Sequence, residues 1–227
     1  MATLIATINP IMSQPESHSP TIHPIPVIGI VGGVGSGKSA VAKALAELVP
    51  CAVIDADRAG HQALELPDVR EQLRTRFGDE IFDGQGAVIR SKLAAKVFGE
   101  TPEAVAARGD LEQIVHPAIA RLVAEQIDRH EAARDVRWIL LDAAVMLEAK
   151  WRTQTDAVVF VDVSEEARWQ RVQQRGWSQE EWKRREASQW PVERKRAAAD
   201  IVIDNHGSLQ EAARALQQEL NKRFPMA

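Results

Sequence analysis

The segment that most constrains the fold is a glycine-rich turn between an apolar run and a helix-forming stretch. Residues 25–31 are apolar and β-branched, which suits a strand buried on both faces, and residues 38–49 are rich in Ala and Leu, as helices are. The turn 32–39 matches the phosphate-binding loop pattern of glycine, four residues, then Gly-Lys-Ser. A chance glycine-rich turn is the alternative, but the flanking strand and helix favour a nucleotide phosphate site.

This loop, called the phosphate loop below, predicts how a triphosphate is held. Glycine permits backbone angles that let successive amides point inward at phosphate oxygens, and the following helix adds a positive N-terminus. We expect Lys38 to reach the β- and γ-phosphates and the Ser39 hydroxyl to bind magnesium, so the predicted cofactors are ATP and Mg²⁺. The residues assigned to the phosphate site are Gly33, Val34, Gly35, Ser36, Gly37, Lys38 and Ser39.

Strand and helix patterns alternate along the rest of the chain. Further strand candidates are residues 52–54, 138–141, 157–163 and 201–203. Helices are expected over most of 67–131, with breaks near 78, 84–86 and 102, and over 164–175, 178–190 and 208–224. Alternation of this kind predicts an α/β fold of three layers around a parallel sheet, with ligands bound at the edge where the strands end.

Composition narrows the class of protein. The 227 residues carry 28 basic and 32 acidic side chains, a net charge of -4, which argues against a general partner of nucleic acid or anionic membrane. With a single cysteine and no apolar stretch of membrane-spanning length, we expect a cytoplasmic protein, a monomer or weak homo-oligomer. Residues 1–24 are rich in Pro, Ser, Thr and His and are expected to form a disordered extension, or alternatively a short binding tail.

Two carboxylates after the second strand candidate favour a kinase over other nucleotide-binding proteins. If the chain stays extended through Asp55 and Asp57, both side chains face the cleft, because residues two apart point to the same side. A kinase needs one carboxylate to accept the proton of the acceptor hydroxyl, and Asp57 is the candidate. The alternative is that Asp57 caps the next helix. Asp142 ends the third strand candidate. An aspartate at this position suits either a magnesium ligand or an ordinary turn.

A basic segment near the end of the chain predicts a lid. Residues 168–196 hold nine Lys or Arg against four Glu. Because phosphoryl transfer depends mainly on positioning and charge stabilisation, a closing basic lid over a polyphosphate has a clear purpose. A solvated helix surface is the alternative for most of these charges.

Several separated motifs give the chain a wider resemblance. They are Gly29 to Ser39, Ile54 to His61, Val115 to Ile119, Leu141-Asp142 with Leu147-Glu148, Val161 to Val163, Gln170-Arg171 with Arg175, and Ala199 to Asn205. In this order and spacing they resemble dephospho-CoA kinase over residues 25–224. The family transfers the γ-phosphoryl group of ATP to the ribose 3′-hydroxyl of dephospho-CoA, so the resemblance implies that substrate.

The resemblance also implies an organisation of the chain. It predicts a nucleoside-monophosphate-kinase-like core over about 25–66, 132–176 and 200–224. It places an inserted helical region that binds the CoA moiety at about 67–131 and a mobile helical lid at about 177–199.

The same resemblance implies roles for individual residues. Asp57 becomes the general base and Lys38 the phosphate clamp, while Arg175 becomes a catalytic lid residue near ATP. Arg194 is expected beside ATP as well, and Asn205 close to the adenine.

Some features depart from the family's pattern or allow more than one interpretation. The family's usual proline and two leucines are replaced by Ala144-Val145-Met146, which removes a rigid corner from the acceptor wall. Ala40 replaces a hydroxyl residue without affecting the Gly-Lys-Ser core. His116, before Pro117 at an expected helix junction, is read as structural. The rival functions are a kinase for another small molecule and a regulatory nucleotide-binding protein without transfer activity.

Overall fold

The fold is built on a five-stranded parallel sheet. The computed structural model describes residues 23–99, 101–149 and 151–225. The strands are β1 (Val27–Gly32), β2 (Cys51–Asp55), β3 (Trp138–Asp142), β4 (Ala157–Asp162) and β5 (Ile201–Asp204). Their order across the sheet is β2-β3-β1-β4-β5, with every neighbouring pair parallel. The α/β prediction with a parallel sheet is therefore confirmed.

The burial pattern of the strands follows their place in the sheet. All residues of β1 and β3 are buried, whereas β2 and β5, the two edge strands, alternate between more and less buried positions. Continuous apolar runs are typical of strands covered by helices on both faces. The central strands therefore have the continuous apolar sequence that made them recognisable.

Helices connect the strands and cover both faces. Their bounds are α1 (Lys38–Leu48), α2 (Ala56–Ala63), α3 (Pro67–Phe77), α4 (Arg90–Val97), α5 (Pro102–Ala133), α6 (Glu165–Gln173), α7 (Gln179–Ala187), α8 (Val192–Ala197) and α9 (Leu209–Arg223). Within the described ranges none of these helices combines the length and apolarity needed to cross a membrane.

Two hydrophobic cores lie on opposite sides of the sheet. On one side Ile28, Ile30 and Leu140 pack with residues of α1 and α9. On the other side the alternate strand residues Val31 and Leu141 pack with residues of α2 to α5. Because successive strand residues point to opposite faces, one apolar run serves both cores.

Three helix predictions need correction. The helix predicted over 164–175 ends at Gln173, and a turn through Gly176, with φ of 81°, follows it. The helix predicted over 178–190 ends at Ala187, and α8 is a separate helix after Pro191, whose ring fixes φ and removes a donor. The His116-Pro117 pair is not at a helix junction, since Pro117 lies inside the 32-residue α5.

The structure describes only the last two residues of the predicted disordered extension, residues 23 and 24. Residues 1–22 of the predicted disordered extension lie outside the described residues. His23 Nδ1 lies 2.9 Å from Glu131 Oε1 near the end of α5, so the described chain is already attached to the fold at this point.

The topology brings polar residues to one edge. Strand order runs from β1 to β3 and β2 on one side and to β4 and β5 on the other, and the carboxyl ends at such a switch point are where α/β sheets bind ligands. Aspartates end four of the five strands: Asp55, Asp142, Asp162 and Asp204. Asp55 and Asp142 are register partners on adjacent strands.

Candidate active site

The phosphate loop joins β1 to α1 as predicted. Gly35 and Gly37 have φ of 89° and 87°, a region that side chains disfavour. A Cβ atom at Gly35 would also lie 2.6 Å from the backbone oxygen of Arg168. The glycines are therefore required both for the backbone conformation and for close packing.

Side chains from distant parts of the chain hold the outer carbonyls of this loop. Asn205 Nδ2 and Arg171 Nη1 each donate to the Ser36 carbonyl at 2.8 Å, and Trp182 Nε1 donates to the Val34 carbonyl at 3.2 Å. Arg171 Nη2 also donates to the Asn205 carbonyl at 2.8 Å. These contacts bind carbonyl oxygens of the loop on its outer side. The backbone amides can then point inward, as a phosphate-binding loop requires.

The Lys38 side chain forms an ion pair with Asp142 at the end of β3. Only 16% of the lysine side chain and 7% of the aspartate side chain are exposed. The pair fixes the ammonium at the carboxyl edge of β1 and β3, beside the loop that precedes it. Lys38 and Asp142, both predicted site residues, are thus brought together.

Ser39 and Asp142 are the predicted magnesium ligands. Their hydroxyl and carboxylate oxygens are the ligand type that this hard cation prefers, and Ser39 follows Lys38 in the first turn of α1. The donor set therefore fits the ion. Within the described ranges, no cluster of three or more His, Cys, Asp or Glu forms a protein-only metal cage, which agrees with the habit of Mg²⁺ of binding through few carboxylates together with phosphates.

The Asp55–Asp57 segment does not stay extended, which was the condition under which both side chains were expected to face the cleft. Helix α2 begins at Ala56, so Asp57 lies in its first turn. The capping residue is Asp55, whose Oδ1 accepts from the Arg58 backbone N–H at 3.0 Å, and not Asp57. With Asp55 used as the cap, the Asp57 carboxylate is left available to the cleft.

Asp57 is exposed to solvent in this cleft, yet the surrounding protein partly desolvates it. Burial raises its pKa above the ordinary aspartate value, and the charge of Lys38 opposes that rise. The negative charges of Asp55 and Asp142 raise the pKa further. Asp57 and Lys38 therefore lie at the same carboxyl edge of the sheet, where the charge of Lys38 acts on the Asp57 carboxyl group.

A pocket of about 330 Å³ opens beside Asp57. Its walls come from α2, α5, the segment after β3 and the turn at residues 151–154. The lining residues are Ala56, Asp57, Gly60, His61, His116, Ile119, Ala143, Ala144, Val145 and Trp151. A mostly apolar cavity with a few polar groups and one carboxylate is suited to hold an organic acceptor next to a general base.

His116 contributes to this pocket from the middle of α5. Its ring lies 6.1 Å from the Trp151 ring, in an edge-on arrangement. The sequence interpretation of a structural histidine is compatible with this contact, although the residue also faces the pocket. His61 lies in α2, and its charge acts on the Asp57 carboxyl group.

Helices α7 and α8 form the region predicted to be the lid. Trp182 of α7 is buried against Trp169 of α6, with ring centroids 5.5 Å apart. Arg168 of α6 forms an ion pair with Glu186 of α7 and packs beside Gly33, where a Cβ would meet its guanidinium. The structure thus holds α7 against the phosphate loop through a tryptophan and an arginine.

Both lid arginines chosen from the sequence are exposed. Arg175 is exposed in the turn after α6, and Arg194 is exposed with its guanidinium 3.5 Å from the centre of the Trp190 ring. Their expected contacts with ATP stay predictions. Arg168 and Arg171, which do touch the phosphate loop, were not chosen. The sequence did place Arg171 on one helical face with Arg175, four residues later, but only Arg175 was assigned a contact with ATP.

Asn205 was chosen as an adenine neighbour, but its side chain is fully buried and bonded to the phosphate loop. Its role near the adenine therefore stays a prediction, while its contact with Ser36 is a feature that sequence did not suggest. The buried carboxamide links the end of β5 to the loop after β1.

The fold and the site together define a P-loop kinase. A phosphate loop after the first strand, an ion-paired lysine, a carboxylate beside an organic pocket and helices docked over the loop are the components of this class. The sequence model described as CoaE, dephospho-CoA kinase, matches residues 26–211. The chain belongs to the dephospho-CoA kinase family.

Individual relatives agree with that assignment. A dephospho-CoA kinase of Rhodopirellula baltica is 33% identical over 92% of this chain and 95% of its own length. One from Syntrophotalea carbinolica is 38% identical over 82% of this chain and 86% of its own. The crystal structure of TT1252 from Thermus thermophilus is 36% identical and covers 88% of this chain and 98% of its own, with a TM-score of 0.72.

Proposed function

We propose that the protein phosphorylates the ribose 3′-hydroxyl of dephospho-CoA with ATP, giving coenzyme A and ADP, the final step of coenzyme A synthesis. The observation that carries this proposal is the position of Asp57. It lines the organic pocket and lies within the electrostatic influence of Lys38, which is attached to the phosphate loop. Family membership supplies the identity of the acceptor.

The chemistry divides between two groups of residues. The amides of the phosphate loop and Lys38 bind the polyphosphate and stabilise the negative charge that develops during transfer. Asp57 accepts the proton of the 3′-hydroxyl as the oxygen attacks the γ-phosphorus, and the bond from that phosphorus to the bridging oxygen of ADP breaks. Mg²⁺, held by Ser39 and Asp142, would supply charge neutralisation at the phosphates. We place Arg175 and Arg194 beside ATP in the closed lid.

The raised pKa of Asp57 suits this task. A carboxylate that is partly desolvated is a stronger base than one in water, because burial disfavours its charged form. The charge of Lys38 limits this rise in the pKa of Asp57. Deprotonated Asp57 is required, so turnover should fall as the pH is lowered, beginning above the ordinary aspartate range.

The wider organisation follows from the same proposal. We assign the acceptor-binding region to α3, α4 and α5 and the lid to α7 and α8. The net charge of -4 and the single cysteine support a cytoplasmic enzyme that does not bind nucleic acid, present as a monomer or weak homo-oligomer.

The direct test is an acceptor panel. The protein is incubated with ATP, Mg²⁺ and one of dephospho-CoA, adenylate or a simple sugar, and products are identified by mass. We expect a product one phosphoryl group heavier with dephospho-CoA alone. Transfer to another acceptor would assign a different small-molecule kinase, and ATP binding with no transfer to any acceptor would favour a regulatory role.

The test of the mechanism is Asp57→Asn. Because a general base contributes about 10² to 10⁴-fold, turnover should fall by that factor while ATP still binds. Asp55→Asn is the matched control, since Asn also caps helices and α2 keeps its first turn. Turnover close to wild type in Asp57→Asn would remove Asp57 from the role of base.

A further inference from the structure

Lys195 of α8 is a buried cation that the proposed reaction does not use. Its side chain is 1% exposed. The ammonium donates to the Ala144 carbonyl at 2.8 Å and to Gln189 Oε1 at 2.7 Å, and it lies 3.1 Å from Glu148 Oε1. Burying an ammonium is unfavourable unless it is paired and hydrogen-bonded, so these partners account for its placement.

Glu148 ties the same lid region to the core a second time. Its Oε1 accepts from the backbone N–H of Trp190 at 2.7 Å, in the linker between α7 and α8. Lys195 and Trp190 therefore converge on one carboxylate in the segment that follows β3. Gln189 and Trp190 line one cavity together with Gly33 and Val34, so this cluster lies next to the phosphate loop.

The segment held by this cluster forms a wall of the organic pocket. Residues 143–149 have no helical or strand structure, and Ala143, Ala144 and Val145 line the pocket beside Asp57. Met146 attaches the segment to β1, since its side chain occupies the space in which a Cβ atom at Gly29 would lie. The Ala144 carbonyl is fixed from the lid side by Lys195.

We propose that Lys195 is a positioning residue for the acceptor: it holds the Ala144 carbonyl and, with Glu148, couples the lid to the wall of the acceptor pocket. This inference rests on the proposed function, because the pocket must be where the acceptor binds. Lys195 does not touch substrate in this role. It acts by setting the distance between the pocket wall and Asp57.

The test compares acceptor and nucleotide parameters in Lys195→Met, which keeps the length of the side chain and removes its charge. Displacement of a reacting group by about 1 Å can reduce the rate about 10²-fold, so we expect kcat/KM for dephospho-CoA to fall by about that factor. The Kd for ATP, measured without acceptor, should stay close to wild type. Lys222→Met is the matched control, because Lys222 pairs with Glu219 on the exposed surface of α9.

Glu148→Gln provides a second variant in case Lys195→Met folds poorly. It keeps an oxygen for the Trp190 N–H but removes the partner charge, and it should affect the acceptor in the same direction. Since both residues act through one contact, the double variant should be no worse than the more impaired single variant.

Three outcomes separate the possibilities. Unchanged acceptor kinetics in folded Lys195→Met and Glu148→Gln, with only a lower Tm, would overturn the inference and leave a structural ion pair. An equal loss of ATP affinity would overturn it in favour of a general lid defect. If the wild-type protein forms no coenzyme A, the proposed function fails before the variants are compared, so the two failures are distinct.

Discussion

The phosphate loop and the acceptor pocket meet at one edge of the sheet, but they are constructed in different ways. The loop consists of eight consecutive residues, 32–39, from the last residue of β1 to the first turn of α1. The pocket takes its walls from α2, α5, residues 143–145 and the turn at Trp151. One site is continuous in sequence, whereas the other forms when distant segments pack together.

This difference has a physical consequence for each site. The loop depends on backbone conformation and on the absence of side chains at Gly35 and Gly37. The acceptor pocket depends on long-range contacts, among them the attachment of Ala144 to Lys195. Substitutions in the loop should therefore impair nucleotide binding directly, whereas those at the pocket should act mainly on acceptor geometry.

Among substitutions on the loop side, the largest effect is expected for Lys38→Met. Removing one preorganised stabilising group typically reduces kcat about 10² to 10³-fold, and we expect a loss at the upper end of that range. The variant also leaves the Asp142 carboxylate buried without its cation, which should lower the free energy of unfolding by about 3 kcal/mol. Steady-state kinetics and denaturant unfolding measure the two effects.

Lys38→Met combined with Asp142→Asn sharpens this test. Neutralising the second partner should restore part of the stability without restoring turnover. If turnover returned together with stability, the role of Lys38 would be structural, and the contrast between the two sites would lose its main support.

A smaller effect is expected for Gly35→Ala. A left-handed conformation costs a side chain about 1–2 kcal/mol, and here the new Cβ would also approach the Arg168 carbonyl. Because 1.4 kcal/mol corresponds to about tenfold in affinity, the Kd for ATP should rise by at least about that factor. Isothermal titration with ATP measures the change.

Gly86→Ala is the matched control for backbone strain. Gly86 has a similar φ of 77°, but a Cβ there would meet open space. We expect a loss of stability of about 1 kcal/mol with no change in ATP affinity. If both variants bound ATP with equal affinity, ATP binding would depend less on the backbone conformation of the phosphate loop than its φ angles indicate.

The smallest effect concerns stability and the Asp57 carboxylate on the acceptor side. Because its pKa is raised in the folded protein, the folded state binds the proton more tightly than the unfolded state. Stability contributed by this group is present at low pH and is lost as the pH rises from the unfolded pKa through the folded pKa. Asp57→Asn should therefore raise Tm at pH 7, and the gain should disappear in acid.

Asp83→Asn supplies a control of opposite sign. Backbone hydrogen bonds from Ala87 and Gln85 lower the pKa of Asp83, so its contribution to stability is present at neutral pH and lost in acid. The variant should lower Tm at pH 7 and approach wild type in acid. If the Tm difference between Asp57→Asn and wild type changed with pH in the same direction as for Asp83→Asn, this would contradict a raised pKa of Asp57.

Sequence reasoning was most successful where structure is governed by neighbouring residues. Apolar runs identified the buried strands, and Ser164 and Ser208 cap α6 and α9 as their residue type favours. It was less successful at element ends near Asp57 and Gln173. There the outcome depended on which of two nearby polar residues capped a helix, and on where a turn interrupted a helical pattern.

Local sequence was sufficient to establish the fold class, the family and the phosphate loop, because strand burial, glycine angles and the Gly-Lys-Ser order are properties of short segments. Long-range packing selected Arg171, Trp182 and Asn205 as the side chains that hold the loop. It also placed Lys195 behind the acceptor wall. Such contacts join residues 51 to 169 positions apart, and which of many similar basic and polar side chains makes each one depends on how the helices pack in three dimensions.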